Sequence, residues 1–317
     1  MLTYGLRRFF GLIPVMLLVT LMVFFLNAMI PGDPGRLRLG QRADPEQVEA
    51  YNRERGYLDP FLWQYLRYVR NILFRFDFGE SDVKSGMPVR EMIVDAFTVT
   101  FKLAIVGILI ASVIGVAAGI LSAVRSRTWI DYIAMLLAVA GVSTPVFWLG
   151  IMMFIYVAPA VGLPRIGFDD SSIFSQLRSL VLPGLALGLV FSATIARLSR
   201  SAMLDVLTQD YIRTARAKGL AGWAVVMRHA LRNAAIPITT VIGNSFGYLL
   251  VGAVLTETVF ALPGIGRLIV ESILQRDRMV ITGGILFVAV VFVLVNLLVD
   301  LTYALFDPRI RLGKSGS

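Results

Sequence analysis

The sequence predicts an all-α integral membrane protein with six transmembrane helices. The 317 residues are 57% hydrophobic and only 16% charged, and the mean hydropathy of +0.75 is too apolar for an ordinary soluble domain. Uncharged runs also approach or exceed the ~20 residues that a helix needs to cross hydrocarbon. These runs are 9–32, 103–124, 132–164, 179–196, 233–256 and 279–299.

The distribution of lysine and arginine predicts that both termini are cytoplasmic. Six spans place the termini on one side of the membrane. That side carries 14 basic and 4 acidic residues, whereas the opposite side carries 16 basic and 16 acidic residues. Cytoplasmic loops carry such an excess of positive charge. A pI near 10.1 would suggest nucleic acid as the partner of a soluble protein, but here topology accounts for the charge and no nucleic-acid partner is expected.

The first segment, 1–32, is interpreted as a retained transmembrane helix behind Arg7 and Arg8, ended by the two prolines of 30–34. The next segment, 33–95, mixes charged and aromatic residues and is predicted to be a small extracytoplasmic helical subdomain, with Asp44 as a helix N-cap. Residues 96–306 form the predicted five-helix core, and 307–317 the cytoplasmic tail.

Small residues and prolines mark packing and kinks in the core. Small residues at four-residue spacing let helix backbones approach closely in lipid, and prolines inside spans should break the hydrogen-bond ladder. The residues concerned are Ala111, Gly115, Gly119, Gly184, Gly188, Gly243 and Gly247, with the prolines Pro145 and Pro183. This pattern suits a channel, a transporter or an intramembrane enzyme equally well.

Few polar groups lie near the spans. Lys102 and Glu257 fall at the predicted outer ends, where a charged head can reach water. Asp300 lies deeper in the last span, where an unpartnered charge costs about 2.5–3.5 kcal/mol. An ion-coupled transporter normally places several such groups near the midplane. The substrate pathway is left undefined, with Asn244, Glu257 and Asp300 as its weak candidates.

No catalytic, metal or cofactor site is predicted. The chain has no cysteine and one histidine, and no carboxylate pair or Ser/His/Asp set lies where an intramembrane hydrolase would need it. Gly313-Lys314-Ser315 resembles the end of a phosphate-binding loop, but the required earlier glycine falls at Pro308. The protein is therefore not expected to be an enzyme, and any energy from ATP must come from another polypeptide.

A basic, amphipathic loop, 200–235, lies between the fourth and fifth spans. Asp210 is expected to cap a short helix, which ends at Gly219 in a left-handed conformation. A second helix is predicted with an apolar stripe at i, i+3, i+4 and i+7, formed by Trp223, Val226, Met227 and Ala230. Such a segment can lie on anionic lipid or enter a groove on a partner protein, and both remain open.

Several motifs resemble the dipeptide/oligopeptide permease family of ATP-binding-cassette importers. In the loop, YIRTARAKGL at 211–220 and HALRNA at 229–234 carry the resemblance. It continues in IPGDP (30–34), LDP (58–60), DFG (77–79), TETVF (256–260), PGIGR (263–267), NLLVD (296–300) and DPRIR (307–311), in the family's order. Together these motifs extend over nearly the whole chain.

The resemblance implies a type I ABC importer permease fold in a bacterial cytoplasmic (inner) membrane, surrounded by lipid. It implies a second homologous permease, two ATPase subunits that hold ATP and Mg, and an extracytoplasmic solute-binding protein. The loop would be the ATPase-coupling element, with Arg213, Ala215, Arg216, Lys218, Gly219, Trp223, Met227, Arg228, His229 and Arg232 as its candidate residues.

The loop departs from the general importer pattern in one respect. That pattern has a proline thirteen residues after the glycine, where this chain has Arg232 and delays proline to Pro237. Peptide-type permeases share the delay.

The resemblance implies import of short peptides, by alternating access driven by the ATPases. Glutathione, nickel chelates, opines and oligosaccharides are also carried in this family, and the sequence does not separate them. The alternative from another class is a self-contained channel or an ion-coupled secondary transporter.

Overall fold

The computed structural model describes the backbone of residues 2–29, 32–40, 42–84 and 86–306, and the side chains of the same ranges except 2–12, 252 and 300–306. The described chain is helical and contains no strand; one isolated bridge joins Glu80 and Pro88. It divides into two compact units, one built on Phe101–Leu262 with 294–306, the other on Leu6–Thr100 with Pro263–Val293. The predicted tail, 307–317, lies outside the described residues.

The helices follow the apolar runs closely. In chain order they are α1 (Leu2–Ala28), α2 (Pro34–Leu39), α3 (Pro45–Glu54), α4 (Phe61–Arg75), α5 (Val89–Val124), α6 (Trp129–Ser143), α7 (Val146–Met152), α8 (Ala158–Val161), α9 (Ile173–Leu207), α10 (Asp210–Ala217), α11 (Gly222–Ala224), α12 (Leu231–Gly252), α13 (Val254–Val259), α14 (Ile265–Gln275) and α15 (Arg278–Phe306). Two π-helical segments, Met153–Val157 and Val225–Ala230, join α7 to α8 and α11 to α12.

Four helical stretches are long and apolar enough to cross a membrane: Val89–Val124, Ile173–Leu207, Gly222–Val251 and Arg278–Val299. A fifth candidate is the pair Trp129–Ser143 and Val146–Val161, bent by 100°. In α1, the described apolar part, Ile13–Ala28, is shorter than the ~20 residues that a helix needs to cross hydrocarbon. The multi-span prediction is confirmed, while the count of six stays a prediction.

The two prolines behave differently. Pro145 caps α7 with an extended backbone (ψ 127°), and α6 ends just before it at Ser143, so the predicted break is confirmed. Pro183 is buried inside α9, which continues through it, so any local break in the hydrogen-bond ladder does not end the helix. A proline removes one backbone donor, and a helix packed among neighbours can tolerate that loss.

Small residues allow α5 and α9 to lie in close contact. A Cβ added to Gly115 would lie 2.7 Å from the carbonyl oxygen of Ser192, and one on Gly119 would lie 2.7 Å from that of Ala196. On α9, a Cβ at Gly188 would meet the Gly107 carbonyl oxygen at 3.0 Å. The predicted close approach of helix backbones is confirmed for this pair.

The other unit contains the short helices α2–α4. Asp44 caps α3 as expected, because its side chain accepts a hydrogen bond from the Glu46 N–H at 3.2 Å. On α4, the Tyr65 hydroxyl donates to the Leu17 carbonyl of α1 at 2.9 Å. The segment thus holds packed helices, although α5 already begins at Val89, before the expected boundary at 95.

A buried carboxylate pair lies beside the start of α15. Asp277 accepts hydrogen bonds from the Ser81 hydroxyl and, at 3.2 Å, from the Asp82 backbone N–H. Asp82 is 3% exposed and accepts a hydrogen bond from the Tyr57 hydroxyl at 3.1 Å. Burial, followed by the charge of Asp277, raises the pKa of Asp82 to about 6.

This raised pKa predicts a pH-dependent stability. Asp82 binds a proton more tightly when folded, so its contribution to the free energy of unfolding falls as pH rises from about 4 to about 6. Asp82→Asn keeps an oxygen acceptor for Tyr57 and removes the charge. We expect this variant to unfold at higher temperature than the wild type at pH 7 and at a similar temperature at pH 4. Equal unfolding temperatures of variant and wild type at pH 7 would contradict the raised pKa of Asp82.

Candidate functional site

The basic loop begins where α9 ends at Leu207. Gln209 has an extended backbone (φ −71°, ψ 149°) and occupies the N-cap of α10. Asp210 is the first helical residue and forms an exposed ion pair with Arg213 at 3.4 Å, so the predicted cap at Asp210 is wrong by one position. Gly219 follows α10 with φ +77°, which confirms the predicted left-handed residue.

The loop is fixed to the helix ends by a small apolar cluster. Ile212 and Ala215 of α10 are buried, and so are Val225 and Ala230 of the π-helical segment. They pack in one cluster with Ala123 of α5 and with Ala202 and Met203 of α9. The loop is therefore seated on α5 and α9, and Ala215 is held inside the chain.

The π-helical segment changes the predicted stripe. Val225 and Ala230, five residues apart, are fully buried, whereas Trp223 and Met227 are exposed. A π-helix bonds i to i+5, so its faces do not follow the i, i+3, i+4, i+7 pattern of an α-helix. The prediction that Trp223, Val226, Met227 and Ala230 share one face is therefore wrong.

The outward side of the loop presents a small apolar surface. Trp223 is 71% exposed, and Leu220 and Met227 are also exposed; these three residues are called the docking surface. The same loop carries exposed basic residues, whereas His229 is half-buried. The exposed basic candidates are Arg213, Arg216, Lys218, Arg228 and Arg232. Exposed aromatic side chains rimmed by polar ones are typical of protein contacts.

An ion pair beside the loop holds three helices together. Asp131 of α6 is 3% exposed and accepts two hydrogen bonds from the Arg200 guanidinium of α9, both at 2.7 Å. It also accepts from the Ser122 hydroxyl of α5 and from the Arg127 backbone N–H at 2.9 Å. The sequence did not predict this ion pair, which is called the clamp below. The one available signal was Asp131, which directly precedes the apolar run 132–164.

Two of the three weak pathway candidates, Asn244 and Glu257, have described side chains, and these differ in exposure. Asn244 is exposed on α12, and Glu257 of α13 is fully buried and engaged within the chain. The expectation that Glu257 reaches water is wrong, because its side chain is buried. Lys102 is half-buried and donates to the Gln176 side chain at 2.9 Å. The side chain of Asp300 lies outside the described residues.

Residues 115–312 match the profile of a family described as the binding-protein-dependent transport system inner membrane component. The chain belongs to this family. Residues 1–104 match the N-terminal part described for such components. As an inner membrane component with several apolar helices, the chain is a multi-pass inner membrane protein.

Curated relatives cover almost the whole of this inner membrane component. It is 42% identical to the dipeptide transport system permease protein DppB of Alkalihalophilus pseudofirmus, covering 98% of this chain and 100% of the relative. It is 41% identical to the glutathione transport system permease protein GsiC of Escherichia coli K12, covering 98% and 99%. These relatives bear out the predicted resemblance to peptide-type ABC importer permeases.

Solved structures support the fold. Two inward-facing crystal forms of the MetNI methionine ABC transporter match with TM-scores of 0.58 and 0.59, at 19% and 18% identity. Each match covers 68% of this chain and 97% of the other. At this identity the likeness concerns the fold alone, and it confirms the predicted all-α ABC importer permease fold class.

A substitution at Gly219 can test whether the basic loop is the element that couples this inner membrane component to the ATPases. A Cβ there would meet no atom of the described chain within 4 Å, so a substitution acts through backbone strain rather than through a clash. Valine in a left-handed conformation costs about 1–2 kcal/mol, whereas asparagine tolerates it. We expect Gly219→Val to lower uptake about five- to thirtyfold and Gly219→Asn to lower it only slightly.

The measurement is ATP-driven uptake together with retention of the ATPase subunits on purification. If Gly219→Val leaves both unchanged, the placement of the coupling element is wrong.

Proposed function

We propose that this chain is the permease subunit of an ATP-driven importer of short peptides, working by alternating access. The supporting observation is full-length similarity to relatives named as dipeptide and glutathione transport permeases. The basic loop, seated on α5 and α9 with its docking surface turned outward, supports the same proposal. It provides an attachment point for an external motor.

The proposed complex pairs this chain with a second homologous permease, two ATPase subunits and an extracytoplasmic solute-binding protein. ATP and Mg are held by the ATPases, and this chain carries out no hydrolysis. The termini and the basic loop face the cytoplasm, as the lysine and arginine distribution predicts. The ATPases contact the docking surface, and the exposed arginines and Lys218 rim that contact.

Continuous helix carries movement from the loop to a span. Gly222–Val251 forms one helical stretch of 30 residues with the π-helical segment inside it, which is about 45 Å long at 1.5 Å per residue. Trp223 lies at one end of this stretch, so displacement of the docking surface moves the fifth span with it. Closure of the ATPases thereby shifts the pathway between its outward and inward openings.

The decisive experiment is purification from the native host followed by reconstitution into liposomes. A complex with two ATPases and a second permease, together with ATP-dependent uptake of a labelled dipeptide supplied with its binding protein, is the expected result. A homo-oligomer that transports without ATP would overturn the proposal and favour the self-contained channel or transporter.

Glutathione is the second candidate substrate, because the two named relatives are almost equally similar to this chain. Thermal-shift screening of the cognate binding protein against dipeptides, longer peptides, glutathione and nickel chelates separates the cases. A shift with dipeptides and none with glutathione supports the proposed substrate class. The reverse result would assign the importer to glutathione.

A further inference from the structure

A second concave site lies among the short helices that follow α1. It is a cavity of about 300 Å³ between α3, α4 and the segment that follows α4, a size at the lower end of small-molecule sites. The unit that contains it includes most of α1 and the first part of α15, up to Val293, but no part of the docking surface. Aromatic rings form much of its wall: Phe24, Tyr51, Tyr57, Tyr68 and Phe78.

One lining residue has a buried hydroxyl without a partner. Tyr68 is 8% exposed, and its hydroxyl oxygen is buried and has no hydrogen-bond partner among the described residues. Burial, together with the charge of Asp77, raises the pKa of the Tyr68 hydroxyl, which therefore stays neutral and can accept or donate. Leaving such a group unsatisfied costs about 1–3 kcal/mol, a cost that a ligand in the cavity would relieve.

The charges of the cavity favour a cationic ligand. Its two arginines are already paired, Arg55 with Glu80 at 2.9 Å and Arg67 with Asp59. Asp77 and Glu54 also line the cavity, and neither forms an ion pair within the described chain. One oxygen of Asp77 accepts a hydrogen bond from the Gly79 N–H at 2.8 Å, and the other remains available. The cavity therefore presents two unpaired carboxylates and no unpaired arginine.

We propose that this cavity binds the primary ammonium group of a small solute. An ammonium group carries three donors; the Asp77 carboxylate and the Tyr68 hydroxyl oxygen accept two of them. The aromatic walls stabilise the remaining charge through their ring faces. If the importer proposed above is correct, the amino terminus of a peptide is such a group, and this identification of the natural ligand rests on the proposed function.

The test uses the whole importer complex in lipid nanodiscs, without binding protein and without nucleotide. Binding of phenethylamine and of neutral phenethyl alcohol is measured by equilibrium dialysis. We expect the amine to bind at least about tenfold more tightly, because a charge-assisted hydrogen bond is lost with the alcohol. Alanyl-phenylalanine should compete with the amine, and its N-acetyl derivative should not.

Two variants and one control locate the binding. Asp77→Asn keeps the oxygen that accepts from Gly79 and removes the charge, and we expect about tenfold weaker binding of the amine. Tyr68→Phe removes only the hydroxyl and should weaken binding to a smaller degree. Glu46→Gln removes an exposed acid of α3 outside the cavity and should leave binding unchanged.

Equal binding of the amine and the alcohol by the wild-type complex would overturn the proposal, and that comparison needs no variant. Unchanged binding in Asp77→Asn would overturn it as well, provided its unfolding temperature matches the wild type. Neither result bears on ATP-driven uptake, so failure here is distinct from failure of the proposed function. Competition by the dipeptide and not by its acetylated form would assign the amino terminus as the ligand group.

Discussion

Asp131→Ala is expected to lower the free energy of unfolding by about 3 kcal/mol or more. The buried carboxylate accepts hydrogen bonds from both the Nε and an Nη of Arg200 at 2.7 Å, as well as from α5. Removing one partner of a buried ion pair leaves the other charge uncompensated, at a cost of about 3–5 kcal/mol. Because Arg200 is partly exposed, we take the lower end. Thermal unfolding of the purified complex measures the loss.

A double variant separates the ion pair from simple loss of packing. Asp131→Leu with Arg200→Met replaces both charges by apolar groups and should cost less than Asp131→Ala alone. Arg125→Ala removes an exposed arginine from the same turn and should have little effect. An unfolding temperature for Asp131→Ala that equals that of Arg125→Ala would show that the clamp does not stabilise the structure.

The clamp also matters for the proposed coupling. Ser122, Asp131 and Arg200 join α5, α6 and α9, and the apolar cluster beneath the loop begins one residue from Ser122, at Ala123. A loop seated on helices that are locked together moves with them as one body. Loss of the clamp should therefore reduce uptake even at temperatures where the variant remains folded.

Local features of this chain could be predicted from its sequence because local rules determine them. The long apolar runs became long helices, Asp44 caps α3, Pro145 ends α6, and Gly219 takes a positive φ. In each case one residue or one uninterrupted run restricts the backbone, whatever packs against it.

The remaining features depend on contacts between distant residues. Asp131 is 69 positions from its partner Arg200, and nothing in the local sequence pairs them. The composition of Val225–Ala230 also suits an α-helix, but the segment is π-helical. This change in the hydrogen-bond pattern occurs where the segment packs against α5 and α9. Glu257 lies at the predicted outer end of a span, where water is within reach, but the folded chain buries it. Tertiary context overrides local propensity at all three positions.

Trp223→Ala is expected to be the most damaging change to ATPase coupling. Trp223 is 71% exposed, while Val225 and Ala230 beside it are fully buried. Truncating it should therefore leave the fold of the loop intact. Large exposed aromatic residues that become buried on binding contribute about 2 kcal/mol or more, so the ATPases should bind about thirtyfold more weakly. Co-purification of the ATPases and peptide-stimulated ATP hydrolysis measure the effect, and Met227→Ala in addition should deepen it.

Trp129 provides a matched control for this prediction. It is 70% exposed, belongs to the same unit and lies at the start of α6, outside the docking surface. Trp129→Ala therefore removes the same side chain at the same exposure and should leave ATPase binding near the wild-type value. Equal ATPase binding by the two variants would mean that the ATPases do not seat on Leu220, Trp223 and Met227. The basic rim would then be the better candidate, and Arg216→Gln and Arg228→Gln should show salt-dependent losses instead.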